Sequence, residues 1–162
     1  MEQTETIRKA AEQDESTVRK IAGRIARAYG IFFVACGSSY HACVCAAYFF
    51  SKIAKKHVNV VLASEFPNYE HFLKRGTLVV AVSQSGETAD VLEAVKVANE
   101  KHAKVLSIVN VRGSSLTRHS HEFLLMNAGP EICVLSTKTY TSQLSLLFLL
   151  AHSVAGQYEE GR

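Results

Sequence analysis

The chain repeats one local pattern: a continuous apolar run of strand length, then a polar turn, then a segment whose apolar residues recur at helical spacing. Its clearest copy is the run Leu78–Val82 followed by the turn Ser83–Thr88. Beyond that turn, the apolar residues at helical spacing are Ala89, Val91, Leu92, Val95 and Ala98. Strands that alternate with helices in this way form parallel sheets with helices on both faces. The pattern therefore predicts an α/β fold, a three-layer sandwich around a parallel sheet.

The pattern occurs five times and divides the chain into strands and helices. The predicted strands are 31–36, 58–63, 77–83, 105–110 and 123–126. The predicted helices are 3–28, 39–55, a short piece 64–72, 87–101, a single turn 113–118 and a last helix 138–155. Gly30 is expected to end the first helix, and residues 159–162 are expected to fray. The 162 residues are predicted to form one domain, with a leading helix in 1–30 and the sheet and its covering helices in 31–155.

The turn Ser83–Thr88 is a candidate anion site. It holds three hydroxyls, one amide and one glycine within six residues, and it precedes the free N–H groups of a helix N-terminus. Such a spot suits a phosphate, whereas a plain helix cap, the alternative interpretation, needs only one Ser or Thr. The turn has no Lys or Arg, so neutral donors and the helix dipole would hold the anion. This favours a small phosphorylated metabolite over a triphosphate with magnesium.

A second turn of the same kind, Cys36–Ser39, follows the apolar run Ile31–Ala35. The carboxyl ends of parallel strands lie at one edge of a sheet, and open α/β sheets bind ligands at that edge. We therefore expect the two turns to face one ligand site.

Two further segments are expected at the same edge, each with two interpretations that stay open. Glu65, after the second strand, is either a functional carboxylate or part of a helix cap. Ser136 and Thr137 either contact a ligand or only cap the last helix. Lys138 either contacts a ligand or partner or is simply solvated.

Composition and motif content exclude several functional classes. Neither GxxxxGK[ST] nor GxGxxG occurs, so no Walker-type loop or dinucleotide site is expected. The net charge of +3 is small and the basic residues are dispersed, which argues against a nucleic-acid partner. No stretch reaches 18 apolar residues and no signal-peptide pattern occurs, so we expect a cytoplasmic protein without membrane contact. The four cysteines and seven histidines match no metal or CxxC motif, so no metal or cofactor is expected.

Six segments, in this order, resemble the first sugar isomerase (SIS) domain of the glutamine–fructose-6-phosphate aminotransferase family, also called glucosamine-6-phosphate synthase. The segments are Cys36–Ala42, Ala63–Phe66, Ser83–Asp90, Asn110–Leu116, Asn127–Glu131 and Ser136–Gln143. The match runs from about residue 31 to residue 152. The SQSGET run of the third segment is typical of SIS domains generally, whereas the second and sixth segments indicate the aminotransferase branch.

The resemblance implies a flavodoxin-like sheet of five strands and a ligand that is fructose-6-phosphate or glucosamine-6-phosphate. The family's phosphate contacts fall on Ser83, Gln84, Ser85 and Thr88, and Ser39 belongs to the same ligand-holding set. In the family, the sugar is bordered by the backbone near the position of Val134, with Ser38 and Ser136 close by. This chain departs from the family in having Ser38 in place of a usual Thr, and Cys133 and Leu135 in place of smaller residues. None of these changes removes a phosphate donor.

The resemblance also indicates which parts of such an enzyme are missing. The family's glutaminase needs an N-terminal cysteine nucleophile, whereas the first cysteine here is Cys36. The family's ring-opening and isomerisation residues (a Glu, a His and a Schiff-base Lys) belong to a second SIS domain and a C-terminal tail. We therefore expect a domain that binds phosphosugar, pairs with the second SIS domain of its parent chain, and is inactive alone.

Other functions stay open on the sequence. The chain could be half of a two-SIS-domain glucosamine-6-phosphate deaminase, or a single-SIS isomerase that completes its site across subunits. A regulatory phosphosugar sensor is a further alternative, although residues 1–30 show no helix-turn-helix.

The last predicted helix favours self-association. Residues 144–150 are apolar nearly all round, so one face is expected to cover the sheet and the other to need a partner. A homodimer is therefore predicted, which also agrees with the general pairing of SIS domains.

Overall fold

The computed structural model describes residues 2–131 and 136–161, and in it five parallel strands form one sheet. The strands are β1 Gly30–Ala35, β2 Asn59–Leu62, β3 Thr77–Ser83, β4 Lys104–Val109 and β5 Glu122–Leu125, in the spatial order β2-β1-β3-β4-β5. This is the flavodoxin-like strand order. The prediction of an α/β fold with a five-stranded parallel sheet is confirmed.

Helices cover both faces of the sheet, as predicted. The helices are α1 Glu2–Ala11, α2 Glu15–Arg27, α3 Gly37–Lys52, α4 Ala89–Glu100, α5 Ser115–His119, α6 Lys138–Val154 and α7 Tyr158–Gly161, with a 3-10 helix at Ala63–Phe72. One apolar core joins α2, α3, α6 and α7 to one face of the sheet. A second core joins the 3-10 helix, α4 and α5 to the other face. The protein therefore has three layers.

The strand β3 organises both cores. All seven of its residues are buried, and Val80 lies beside Phe33 of β1 and Leu106 of β4. After β1 the chain enters α3 on one face, and after β3 it enters α4 on the opposite face. The strand order thus reverses between β1 and β3, which makes the crevice at their carboxyl ends the switch point of the sheet.

The leading helix is not continuous, so the prediction of one helix over 3–28 is wrong. The chain leaves α1 at Ala11 and starts α2 at Glu15, and Asp14 caps the second helix. The Asp14 carboxylate accepts hydrogen bonds from the Thr17 N–H at 2.8 Å and from the hydroxyls of Ser16 and Thr17. A capping residue starts a new helix here because it satisfies N–H groups that a continuous helix would have bonded internally.

Other helices of the same chain cover α6. Its buried residues face α1, α2, α3 and α7 as well as the sheet. The sequence suggested that a partner would cover part of α6, but most of that cover comes from within the chain.

The expectation that the C-terminal residues fray is wrong for 159–161, because α7 forms there and Tyr158 is buried. Arg162 lies outside the described residues. Gly30 begins β1 rather than directly ending a helix. Within the part of the chain that the structure describes, no helix is long and apolar enough to cross a bilayer.

We predict that Asp14→Ala lowers the melting temperature at pH 7 and that this difference disappears in acid. The hydrogen bonds from Ser16 and Thr17 lower the pKa of Asp14 from 3.8 to about 2. A lowered pKa stabilises the fold above pH 3.8, and this contribution is lost as the pH falls towards 2. Thermal melts at pH 7, 5, 4, 3 and 2 measure it, and the difference should shrink between pH 4 and pH 2. Asp14→Ser is the control, since Ser caps without titrating in this range. A difference in melting temperature between Asp14→Ala and the wild type that stays constant with pH would contradict the capping role.

Candidate functional site

The two polar segments predicted from the sequence, Cys36–Ser39 and Ser83–Thr88, lie together at the switch point of the sheet. After β1, Cys36 alone precedes α3, so Ser38 and Ser39 lie in the first turn of that helix rather than in a turn before it; the second segment, Ser83–Thr88, joins β3 to α4. Adjacent pairing of β1 and β3, with Ala35 beside Val82, brings the starts of both segments to neighbouring positions. The edge therefore has two polar segments that leave the sheet toward opposite faces.

Within the second turn, backbone N–H groups donate to serine oxygens. Gly86 N–H donates to Ser83 Oγ at 3.1 Å, and Glu87 N–H donates to Ser85 Oγ at 3.2 Å. The hydroxyls of Ser83 and Thr88 share one hydrogen bond of 3.1 Å. A serine oxygen that accepts from the protein keeps its own proton to donate. The Ser85 proton and one proton of the Ser83–Thr88 pair are thus left to donate to a ligand.

The simple capping interpretation of this turn is not supported. Thr88 occupies the N-cap position of α4, yet its side chain makes no capping hydrogen bond. The hydroxyls of the turn bond instead to one another and to the N–H groups of Gly86 and Glu87. The N-terminus of α4 therefore keeps its electrostatic preference for a negative group.

Gly86 is required by both conformation and space. Its φ is +69°, and a Cβ placed there would lie 2.2 Å from Ser114 Oγ and 2.6 Å from Ser114 Cβ. The close approach lets Leu116 N–H donate to Gly86 O at 3.0 Å and Ser115 N–H donate to Glu87 Oε1 at 2.7 Å. The turn Ser83–Thr88 is thus fixed on the N-terminus of α5.

Glu87, the one charged residue of the turn, is engaged with α5 rather than with the hydroxyls. Its hydrogen bond from the Ser115 backbone is the main cause of a lowered pKa for this carboxyl. The carboxylate is therefore ionised at neutral pH and held at the α5 N-terminus, where the helix dipole also favours it.

The first turn presents one buried and one half-buried serine. Ser39 is buried, and its Oγ accepts a hydrogen bond of 2.9 Å from Gln143 Nε2 of α6. Ser38 is half-buried in the first turn of α3. Cys36 stands at the N-cap of α3, and burial, followed by the Asp90 carboxylate 3.8 Å away, raises the pKa of its thiol. That thiol is therefore protonated at neutral pH and is not an activated nucleophile.

Asn110, directly after β4, holds the backbone of Gln84. Asn110 N–H donates to Gln84 O at 3.0 Å, and the Asn110 side chain donates to Gly129 O at 2.6 Å and accepts from Ala128 N–H at 3.0 Å. One residue directly after β4 thus connects the turn Ser83–Thr88 to the backbone of Ala128 and Gly129.

Glu131 caps the N-terminus of α6, so of the two interpretations of Ser136 and Thr137, capping by the Thr137 side chain is not observed. The Glu131 carboxylate accepts from the N–H groups of Thr137 and Thr139, each at 3.2 Å, and from Thr139 Oγ1 at 3.0 Å. Burial opposes its charge, but these bonds outweigh burial and lower the pKa of Glu131. Thr137 makes no side-chain cap, and Ser136 lies half-buried just before the helix.

Three positions near the expected sugar rim fall outside the described residues, namely Cys133, Val134 and Leu135. Lys138 is the first residue of α6. Glu65 is exposed in the 3-10 helix and accepts a weak bond of 3.4 Å from Asn68 Nδ2, while Leu62 occupies the N-cap position. Capping by Glu65 is therefore not observed. Among residues 2–131 and 136–161, no three His, Cys, Asp or Glu side chains are placed to hold a metal ion.

Sequence reasoning assigned no role to four residues that shape this edge. They are Asn110, Ser114, Glu131 and Gln143. Gln143 had a detectable signal, because it is a polar residue beside the most apolar stretch of the chain. Asn110 and Ser114 act through contacts with residues more than twenty positions away, and Glu131 through bonds six to eight residues along the chain, none of which follows a helix or strand period.

The model of the SIS domain family matches residues 24–153 of this chain. The chain belongs to the SIS domain family. The match spans every strand of the sheet and both polar turns, and it agrees with the resemblance found in the sequence.

Individual relatives identify the branch of the family. The isomerizing glutamine–fructose-6-phosphate aminotransferase of Thermococcus kodakarensis is 46% identical over 155 residues, which are 95% of this chain and 26% of that protein. The same enzyme of Methanothermobacter thermautotrophicus is 50% identical over 120 residues, 74% of this chain and 20% of that protein. The chain thus spans about a quarter or less of the length of these curated relatives.

A solved structure gives the same result. The C-terminal domain of glucosamine-fructose-6-phosphate aminotransferase from Francisella tularensis superposes with a TM-score of 0.84 at 32% identity. The superposition covers 99% of this chain and 47% of that one. This chain is therefore an SIS domain homologous to the isomerase module of these aminotransferases.

We predict that Gly86→Ala destabilises the fold more than Gly113→Ala. Both glycines have a positive φ, but only Gly86 has Ser114 within contact of an added Cβ. Strain alone costs roughly 1–2 kcal/mol, and overpacking adds roughly 1–3 kcal/mol. Chemical denaturation of both variants measures the difference. Ser114→Gly should recover part of the stability in the Gly86→Ala background, and equal losses for the two alanine variants would contradict the packing account.

Proposed function

We propose that this chain is one phosphosugar-binding SIS domain, whose ligand is fructose-6-phosphate or glucosamine-6-phosphate. The phosphate lies at Ser83, Gln84, Ser85 and Thr88. The observation that carries this proposal is the donation of N–H groups to the oxygens of Ser83 and Ser85, which leaves hydroxyl protons to face an anion. The names of the aminotransferase relatives support the choice of sugar phosphate.

The charge of the site supports a small monophosphate. The turn carries no cation, and Glu87 is held at α5, so neutral hydroxyls and the N-terminus of the twelve-residue helix α4 bind the anion. Hydrogen bonds from neutral donors to a charged group are worth roughly 1.5–3 kcal/mol each. A few such bonds suffice for a metabolite that carries one phosphate.

The sugar extends from the phosphate toward the β1–α3 turn and the segment before α6. The residues that we assign to this part of the site are Ser38, Ser39, Val134 and Ser136. Support comes from the position of Ser38 and Ser39 beside the turn Ser83–Thr88 and from the bonds of Asn110 to the backbone of Ala128 and Gly129.

We propose binding rather than catalysis for this chain by itself. General acid–base chemistry needs a positioned group whose pKa suits the reaction, and the candidates at this edge lack one. The Cys36 thiol has a raised pKa, Glu87 is engaged at α5, and Glu65 is exposed. Conversion of fructose-6-phosphate to glucosamine-6-phosphate then requires a second SIS domain as partner. The 47% coverage of the Francisella tularensis domain is consistent with two such units.

The ligand proposal predicts that fructose-6-phosphate and glucosamine-6-phosphate bind and that free fructose does not compete. Ser85→Ala and Thr88→Val each remove one hydroxyl donor, and each should weaken binding on the order of 10- to 100-fold. Titration calorimetry measures these affinities. Ser51→Ala, at an exposed position near the end of α3, is the matched control and should bind like the wild type. Equal affinity in all four proteins would refute the assigned phosphate position.

We also propose that two copies of this chain associate through the apolar groove between α1, α3 and α6. The groove has a volume of about 350 Å³, and its lining residues include Ile7, Phe49, Leu144 and Phe148. Ile7 is 46% exposed and Phe148 is 36% exposed, which leaves apolar surface that a second copy can cover.

A dimer at this groove should dissociate when Phe148 becomes charged. Sedimentation at micromolar concentration should give a dimer for the wild type and a monomer for Phe148→Glu. Phe72→Glu is the control, because Phe72 is 63% exposed on the opposite layer of the fold and should leave the dimer intact. A monomeric wild type would contradict the proposal.

A further inference from the structure

Gln143 is fully buried on α6, and its orientation is set by two acceptors. Its Nε2 donates to Ser39 Oγ at 2.9 Å and lies 3.8 Å from the sulfur of Met126. A thioether sulfur only accepts hydrogen bonds, so the amide nitrogen rather than the amide oxygen belongs on this side. Ser39 is therefore an acceptor toward Gln143.

The amide oxygen of Gln143 makes no stabilising contact with the described residues. Gln143 Oε1 is buried and has no hydrogen-bond partner within the described residues. An unpaired buried carbonyl destabilises a fold, and an apolar side chain of similar length would fill this position without that cost. Core packing therefore does not explain a glutamine here, whereas its hydrogen bond to Ser39 does.

The bond leaves Ser39 its proton and directs it away from Gln143. An oxygen that accepts from Gln143 keeps its own O–H to donate, which is the arrangement that backbone N–H groups impose on Ser83 and Ser85. Ser39 lies in α3, where no loop N–H is seen to donate to its oxygen, and α6 supplies the donor instead.

We propose that Gln143 is a positioning residue that holds Ser39 as a hydrogen-bond donor to the sugar phosphate. The inference rests on the proposed function, because it takes the ligand of this same site as given. Gln143 itself need not touch the ligand. Its contribution to binding passes through the Ser39 hydroxyl and vanishes when that hydroxyl is absent.

A double-mutant cycle with fructose-6-phosphate tests the inference. Gln143→Met keeps the length of the side chain but removes the donor, and it should weaken binding by roughly 3- to 10-fold. It should not lower the melting temperature, since the unpaired Oε1 is removed as well. In the Ser39→Ala background, Gln143→Met should have no further effect on affinity. Equal affinity of Gln143→Met and wild type, or an equal loss in both backgrounds, overturns the inference.

A matched control separates positioning from stability. Ser142 is the neighbour of Gln143 on α6, and its hydroxyl donates a buried hydrogen bond of 2.8 Å to Met126 O. Ser142→Ala removes this bond. It should lower the melting temperature and leave the affinity for fructose-6-phosphate unchanged. A loss of affinity that simply follows the melting temperature across these variants would assign Gln143 a structural role and overturn the proposal.

A measurement on the wild type keeps the test independent of variant folding. Donation by Ser39 to the bound fructose-6-phosphate makes its oxygen a better acceptor, because linked hydrogen bonds polarise one another. The Gln143 side-chain amide protons should therefore shift downfield in NMR spectra on addition of fructose-6-phosphate, and not in Ser39→Ala. An unmoved amide signal in a saturated wild type contradicts the inference alone, whereas a wild type that binds no sugar phosphate overturns the proposed function as well.

Discussion

The hydrogen bond from Gly86 N–H to Ser83 Oγ is the contact around which the site is organised. It turns the chain at the end of β3, and the shared bond of Ser83 with Thr88 connects it to the start of α4. The bond is possible because Gly86 adopts a positive φ and packs against Ser114, where no side chain fits. Sheet geometry, loop conformation and the direction of the hydroxyl protons thus depend on one short turn.

Other segments of the edge support this turn. The N-terminus of α5 bonds to Gly86 and Glu87, Asn110 bonds to Gln84, and beside this turn Gln143 of α6 bonds to Ser39 of α3. Each contact uses an N–H group as donor; the acceptors are the carbonyls of Gln84 and Gly86, the Glu87 carboxylate and Ser39 Oγ. A site built in this way is neutral, has its donors oriented before a ligand arrives, and favours an anion without a bound cation.

Most of the fold could be predicted from local pattern because its strands are continuous apolar runs. The predicted bounds of β3 agree with the structure, and the other four strands differ by one residue at each end. The turn Ser83–Thr88 was recognisable because its hydroxyls and glycine are adjacent in sequence. The break at Asp14 was missed because the apolar periodicity of α1 and α2 continues across a polar capping residue.

Contacts between distant segments could not be predicted in this way. Glu131 caps α6 from a position six to eight residues away, and Gln143 reaches Ser39 across 104 positions of sequence. Neither bond leaves a periodic signal, and the bond between Gln143 and Ser39 also depends on how the fold places α3 and α6 side by side. The sequence resemblance nonetheless covered both segments, which is why the family could be recognised before these contacts were known.

A crystal structure of this chain with fructose-6-phosphate tests the central claim most directly. The account predicts phosphate oxygens about 3 Å from the hydroxyls of Ser83, Ser85 and Thr88, with Ser39 still accepting from Gln143. The opposite edge of the sheet has a cavity of about 600 Å³ lined by Arg75, Lys104 and His121, among others. A phosphate bound among those basic residues, with the Ser83–Thr88 turn empty, would contradict the account.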